Sequence, residues 1–114
     1  MHELSIALSI VDIAREEGER LGGEVLAVHL RLGRLSGVVS EALLGSWEIA
    51  CAGTPLAGAR LEIEEVPVVV YCARCRATRE LAAGQWFICP ACGESTPDLR
   101  QGRELEIVAL EIDR

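Results

Sequence analysis

A chain of 114 residues, half of them apolar, is long enough for one compact domain or for a small domain carrying an insertion. Its formal charge of −7 is spread along the chain, and its 11 basic residues are all arginines; such a chain offers no basic face for phosphates, so nucleic acid is not an expected partner. No apolar run approaches the length that spans a bilayer, which excludes a helical membrane anchor.

The first predicted element is a helix from about Leu4 to Leu21. Leu4, Ala7, Leu8, Val11, Ala14 and Leu21 form its apolar stripe, broadened by Ile6, Ile10 and Ile13. His2, Ser5, Ser9, Asp12 and Glu16 run down the polar side, and Gly22-Gly23 stops the helix. Val25 to Leu32 alternates as a half-buried strand. Leu26, Val28, Leu30 and Leu32 are expected inward, and Ala27, His29 and Arg31 outward.

A glycine-rich turn leads to a second helix over about Ser40 to Ala52, with Leu44, Trp47 and Cys51 in line and Gly53-Thr54-Pro55 as its stop. Arg60 to Val66 and Glu104 to Ile112 alternate as two further strands. The fold class is therefore α+β: a small three-stranded sheet with two helices on one face. A cysteine-bearing segment interrupts it, so the expected division is a body of residues 1–67 plus 101–114 and an inserted unit of residues 68–100. Pro67 and the stretch Ser95 to Gly102 are the expected hinges.

Within the insert, Cys72, Cys75, Cys89 and Cys92 stand as two C-x-x-C pairs. Two such turns supply the closed tetrahedral thiolate shell that structural Zn(II) prefers, which makes the insert a zinc ribbon. Leu81, Trp86, Phe87 and Ile88 are the side chains available to pack there. Arg74, Arg76 and Arg79 lie close enough in sequence to offset the site's charge. A closed four-thiolate shell leaves no position for a substrate, and neither pair opens a helix in the setting that dithiol redox chemistry uses.

The site with open chemistry is Met1-His2-Glu3. An unblocked chain start offers its amine, the amide nitrogens of His2 and Glu3, and the His2 imidazole around one point. These close five- and six-membered chelate rings suited to square-planar Ni(II) or Cu(II). Glu3 could add a carboxylate. His29 is expected to be structural, and Cys51 to be a buried thiol on the stripe of Trp47. Nothing in the chain pairs a nucleophile with a base or cradles a phosphate, so an enzyme is not expected. The start of the chain also lacks an export signal, and five cysteines in that context point to the reducing cytoplasm.

The N-terminal M-H-E-L-S, the early helix and the late C-x-x-C…C-x-x-C before a final strand together resemble the HypA/HybF family of hydrogenase nickel-incorporation factors. The stretches Gly53-Thr54-Pro55…Gly58-Ala59-Arg60-Leu61 and Gly102-Arg103-Glu104-Leu105 extend the likeness over essentially the whole chain. The resemblance implies a metallochaperone that carries Ni(II) at Met1, His2 and Glu3 and structural zinc at Cys72, Cys75, Cys89 and Cys92. It further implies a nickel-binding partner GTPase, HypB, and delivery to the precursor of the [NiFe]-hydrogenase large subunit. Monomer and homodimer are both compatible with the pattern. The competing reading from the residues alone is a zinc-ribbon nucleic-acid-binding or protein-interaction adaptor.

Overall fold

A computed structural model describes residues 3–82 and 85–114. The chain runs α1 (Glu3–Leu21), β1 (Glu24–Gly33), α2 (Ser40–Cys51), β2 (Arg60–Val66), β3 (Val68–Cys72), β4 (Ala77–Leu81), β5 (Asp98–Gln101) and β6 (Leu105–Asp113). Two three-stranded sheets result. The first has the order β2-β1-β6, with β1 parallel to β2 and antiparallel to β6. The second, β4-β3-β5, is antiparallel throughout. The α+β architecture and the interruption before the last strand agree with the sequence reading.

α1 ends as its glycines dictate. Gly22 takes φ 71°, its N–H donates to the carbonyl of Glu19, and the Gly23 N–H reaches back to that of Gly18. That double closure satisfies carbonyls that a helix end would otherwise leave orphaned. The buried line of α1 is Ala7, Ile10, Val11, Ala14 and Gly18, whereas Leu4 and Leu8 are exposed. The expected stripe was thus centred on the wrong side of Ala7. α1 packs more closely on α2 than on the sheet, and Gly18 leaves room for Val25 of β1, so the buried line runs through Ala7, Ala14 and Gly18 while Leu4 and Leu8 lie on the flank.

In α2 the core residue is Leu43, with Trp47, Ala50 and Cys51, and Leu44 faces outward instead. Trp47 buries its ring and satisfies its one polar atom, Nε1, on the carbonyl of Ala59 at 2.9 Å. Leu30 and Leu43 are essentially sealed. Each such side chain contributes roughly 1.5–3 kcal/mol relative to exposure.

The alternation of β1 is broken at one point. Val25, Val28, Leu30 and Leu32 are buried, but Leu26 is exposed, contrary to expectation. The register explains it: Val25 lies opposite Ile112 and Ala27 opposite Glu111, so Leu26 is the extra residue of a β-bulge. A second shift, with His29 opposite Ala109 and Leu30 opposite Ile107, makes Val108 the extra residue on β6. After both shifts Leu110 and Ile107 again face the helices beside Val28 and Leu30.

The other face of this sheet is a ladder of charge. Ala27, His29 and Arg31 are flanked by Arg60, Glu62 and Glu64 on β2 and by Glu111, Ala109 and Glu106 on β6. The Arg60–Glu111 ion pair (3.1 Å) spans Ala27, which explains why a small apolar side chain on the polar face is fully buried. His29 joins the same carboxylate at 2.7 Å, the structural role expected of it.

The two sheets join where β1 ends. Leu35 N–H donates to the Gly102 carbonyl (2.7 Å), Gly33 N–H to that of Glu104 (2.7 Å), and the Gln101 side-chain amide to that of Pro67 (3.1 Å). The stretch expected as a hinge from Ser95 to Gly102 is instead largely structural. Ser95 bridges Ile88, Thr96 is buried, and Asp98–Gln101 completes the second sheet by pairing with the free edge of β3.

Candidate metal centre

The second sheet presents one of two cysteine turns, and the connection between β4 and β5 presents the other. β3 delivers Cys72 at its end, and Cys75 follows in the tight connection to β4. Cys89 and Cys92 form the facing turn, in which Gly93 N–H closes on the Cys89 carbonyl (2.8 Å) and Cys89 N–H on that of Glu94 (2.8 Å). Gly93 takes φ 78°; the matching position after Cys75 is Arg76 at φ 54°, a conformation that costs a side-chain-bearing residue about 1 kcal/mol or more.

All four sulfurs lie within 4.8 Å of one another. Across the turns, Cys72 Sγ is 3.6 Å from Cys92 Sγ, and Cys75 Sγ is 3.9 Å from Cys89 Sγ. A tetrahedral zinc with bonds of about 2.3 Å would hold its sulfurs about 3.8 Å apart, so the donor set fits. The Cys75 amide also points at Cys72 Sγ (3.4 Å), the kind of N–H···S contact that steadies a thiolate.

Two of the thiols, Cys89 and Cys92, are pulled in opposite directions. Burial raises Cys89, but the amides of Ala91 and Cys92, the Cys92 side chain and the Arg79 guanidinium outweigh it and bring that thiol to about 6. Cys92 is pushed up to about 12: the Glu94 amide lowers it, yet burial and the neighbouring sulfurs of Cys72, Cys75 and Cys89 win. Four adjacent thiols cannot all ionise without a positive centre among them.

Of the three arginines expected to offset the site's charge, one does. Arg79 lies against the sulfurs of Cys75 and Cys89, which raise its pKa, and its Nε is enclosed without an acceptor of its own. A tetrathiolate shell supplies the anionic surface that this buried donor lacks. Arg74 is turned to Glu94 (3.1 Å) at the surface, and Arg76 is exposed. The distinction was readable in Ala77-Thr78-Arg79-Glu80-Leu81, where Arg79 shares the inward parity of buried Leu81.

The packing of the ribbon differs from expectation. Val68, Val70 and Leu81 form its small core, with Phe87 and Leu99 against it, while Trp86 and Ile88 are exposed at 82 % and 50 %. The left-handed backbone at Phe87 (φ 56°) rotates Phe87 alone of the three toward the sheet.

At the other candidate site, Met1 and His2 lie outside the described residues. Glu3 opens α1, and its carboxylate accepts from the Val39 amide at 3.5 Å, tying the start of α1 to the start of α2. Cys51 is buried in the main core, where desolvation raises its pKa, so it is an inert packing thiol. Among the described residues, Cys72, Cys75, Cys89 and Cys92 are the one cluster with metal-ligating geometry. No helix among them is long and apolar enough to cross a membrane.

Comparison with known proteins agrees with this geometry. The family model described as "Hydrogenase/urease nickel incorporation, metallochaperone, hypA" matches residues 1–112. The hydrogenase maturation factor HypA of Roseiflexus sp. (strain RS-1) is 52% identical over 114 residues, covering 99% of this chain and 93% of its own. That of Chloroflexus aurantiacus (strain J-10-fl) is 54% identical over 112 residues, covering 97% and 98%. The solution structure of the Ni metallochaperone HypA from Helicobacter pylori shares the fold, with a TM-score of 0.65, 20% identity, and coverage of 98% of this chain and 97% of that one. The chain belongs to the HypA family of nickel-incorporation metallochaperones, hydrogenase maturation factors and not enzymes.

Proposed function

We propose that this chain carries Ni(II) on Met1, His2 and Glu3 and hands it on during maturation of a [NiFe]-hydrogenase, working in the cytoplasm with the nickel-binding GTPase HypB and the large-subunit precursor. The observation that carries this reading is the whole-length family match, which begins at Met1 and includes the nitrogen-rich start. Nickel is cargo, so the ligand set must select it and also release it. The amine, the two amide nitrogens and the imidazole favour a square-planar ion. Each must lose a proton to bind, apart from an already neutral imidazole, so returning protons one donor at a time loosens the ion.

Cys72, Cys75, Cys89 and Cys92 would hold zinc, whose bound charge keeps the thiolates together and the ribbon folded. The division of labour follows: residues 1–67 plus 101–114 present nickel, and residues 68–100 are a zinc-stabilised unit beside them, in a monomer or homodimer.

The test is a Ni(II) titration of tag-free, zinc-loaded protein beside a His2→Ala variant and a variant extended by residues before Met1. Stoichiometric binding with a square-planar visible spectrum, lost in both variants while zinc content and circular dichroism are unchanged, is the expected result. Undiminished affinity in either variant would sink the assignment.

A further inference from the structure

The two edges of the first sheet are finished differently. β2 carries Arg60, Glu62, Glu64 and Glu65, charges that discourage a further strand. β6 is more apolar, and among the described residues it pairs only with β1, so its outer edge has no strand partner. Beside that edge α1 overhangs the sheet, and between them runs an open groove of about 540 Å³. Ile6, Ile10 and Ile13 of α1 form one wall, Leu105 and Ile107 of β6 the other, and Leu30 lies below. Ile13 is 57% exposed and Leu105 is 44% exposed, and the groove makes them parts of one apolar surface. No basic residue lines the groove.

We propose that this groove receives an extended segment of a partner protein, added to β6 as a fourth strand, with apolar side chains at alternate positions and Lys or Arg between them. A strand laid along β6 pairs the free backbone groups of the edge, and its successive side chains point to opposite faces. One set enters the groove against Ile6 and Ile13. The other set stands on the charge-ladder face, next to Glu106. Glu106 shares Arg31 with Glu64, so that corner of the face and the whole chain remain acidic, which selects a basic residue in the incoming strand. The same acidity disfavours a second copy of this chain, because β6 against β6 would set Glu106 and Glu111 among their own counterparts. The Val108 bulge interrupts the edge, so the added strand is short and matches the Leu105–Ile107 half that borders the groove. This surface requires no nickel and goes beyond the metal-binding reading.

The experiment uses zinc-loaded, ¹⁵N-labelled full chain titrated with a short alternating Lys-Val peptide and, separately, an alternating Glu-Val peptide. The Lys-Val peptide should shift the amide signals of Ile6 to Ile13 and Leu105 to Val108 and slow hydrogen exchange along β6. Ile13→Asn should weaken binding by about tenfold, the worth of one buried aliphatic side chain. Ile49→Asn, on the exposed side of α2, should leave it unchanged. The proposal is overturned by absence of binding, by equal binding of the Glu-Val peptide, by full affinity in Ile13→Asn, or by self-association of the free chain through β6.

Discussion

The backbone of Gly102 lies against Gly33 where the two sheets meet, and nothing fits between them. A Cβ on Gly33 would run into the Gly102 carbonyl and stand 2.7 Å from the Arg103 amide nitrogen. The obstacle is main chain that hydrogen bonds hold in place: the Gly33 amide donates to the Glu104 carbonyl, and the Gly102 carbonyl accepts from Leu35. Gly33 is not among the residues with positive φ, so space alone demands glycine here.

Gly33→Ala should therefore destabilise the zinc-loaded protein by about 2 kcal/mol or more, the range of a core overpacked against unyielding atoms. Gly45→Ala should do the reverse, gaining about 0.5–1 kcal/mol, because Gly45 sits inside α2 with nothing within 4 Å of its would-be Cβ. Chemical denaturation of both variants measures this. Equal tolerance of the two would mean that the Gly33–Gly102 approach carries no weight.

Arg79→Met keeps an unbranched stem of similar volume to the arginine methylenes and removes the guanidinium that lies against Cys75 and Cys89. Zinc retention in competition with a chelator should fall roughly 10- to 100-fold, the usual effect of losing a partner of the ligands. Arg74→Met should change little, since that guanidinium is spent on exposed Glu94. A reversed order between the two would reassign the charge compensation.

Stripping the metal should unfold residues 68–100 and spare residues 1–67 plus 101–114. The ribbon's own core is Val68, Val70 and Leu81, too little to hold four crowded thiols in place, whereas the larger cluster around Leu30 and Leu43 is complete without it. Amide hydrogen exchange of the chelated protein would then lose protection at Val70 and keep it at Val28. Retained protection at Val70 would show the ribbon to be self-sufficient.

The charge ladder predicts a pH effect of defined sign. The hydrogen bond from His29, and then the charge and hydrogen bond of Arg60, lower the Glu111 carboxyl below its ordinary value. A carboxylate whose pKa is lower in the folded state adds stability above its unfolded value, about pH 4.3, and loses that contribution as pH falls through the folded value. Glu111→Gln should accordingly be less stable than the parent at neutral pH, with the gap closing in acid. A gap that persists or widens at low pH would place the stabilisation outside this carboxylate's ionisation.

Much of this protein was legible in its sequence because the relevant physics is local. Alternation placed β1, β2 and β6, Gly22-Gly23 placed the end of α1, and the C-x-x-C spacing named the four cysteines that gather into a cluster with metal-ligating geometry, since two residues three apart in a tight turn can reach one ion. Tertiary structure decided what depends on partners distant in the chain. Leu26 faces solvent because β6 imposes a bulge on β1, and Leu4 and Leu8 lie on a flank because the line through Ala7, Ala14 and Gly18 is the one that α2 and the sheet cover. Pairing with β3 turned an expected hinge into β5. Arg79, and not Arg74 or Arg76, meets the sulfurs: strand parity turns it inward beside Leu81, and the fold brings the Cys89 turn against that side. In each case the sequence determined which residues could play a part, and the register and packing of elements far apart in the chain determined which ones do.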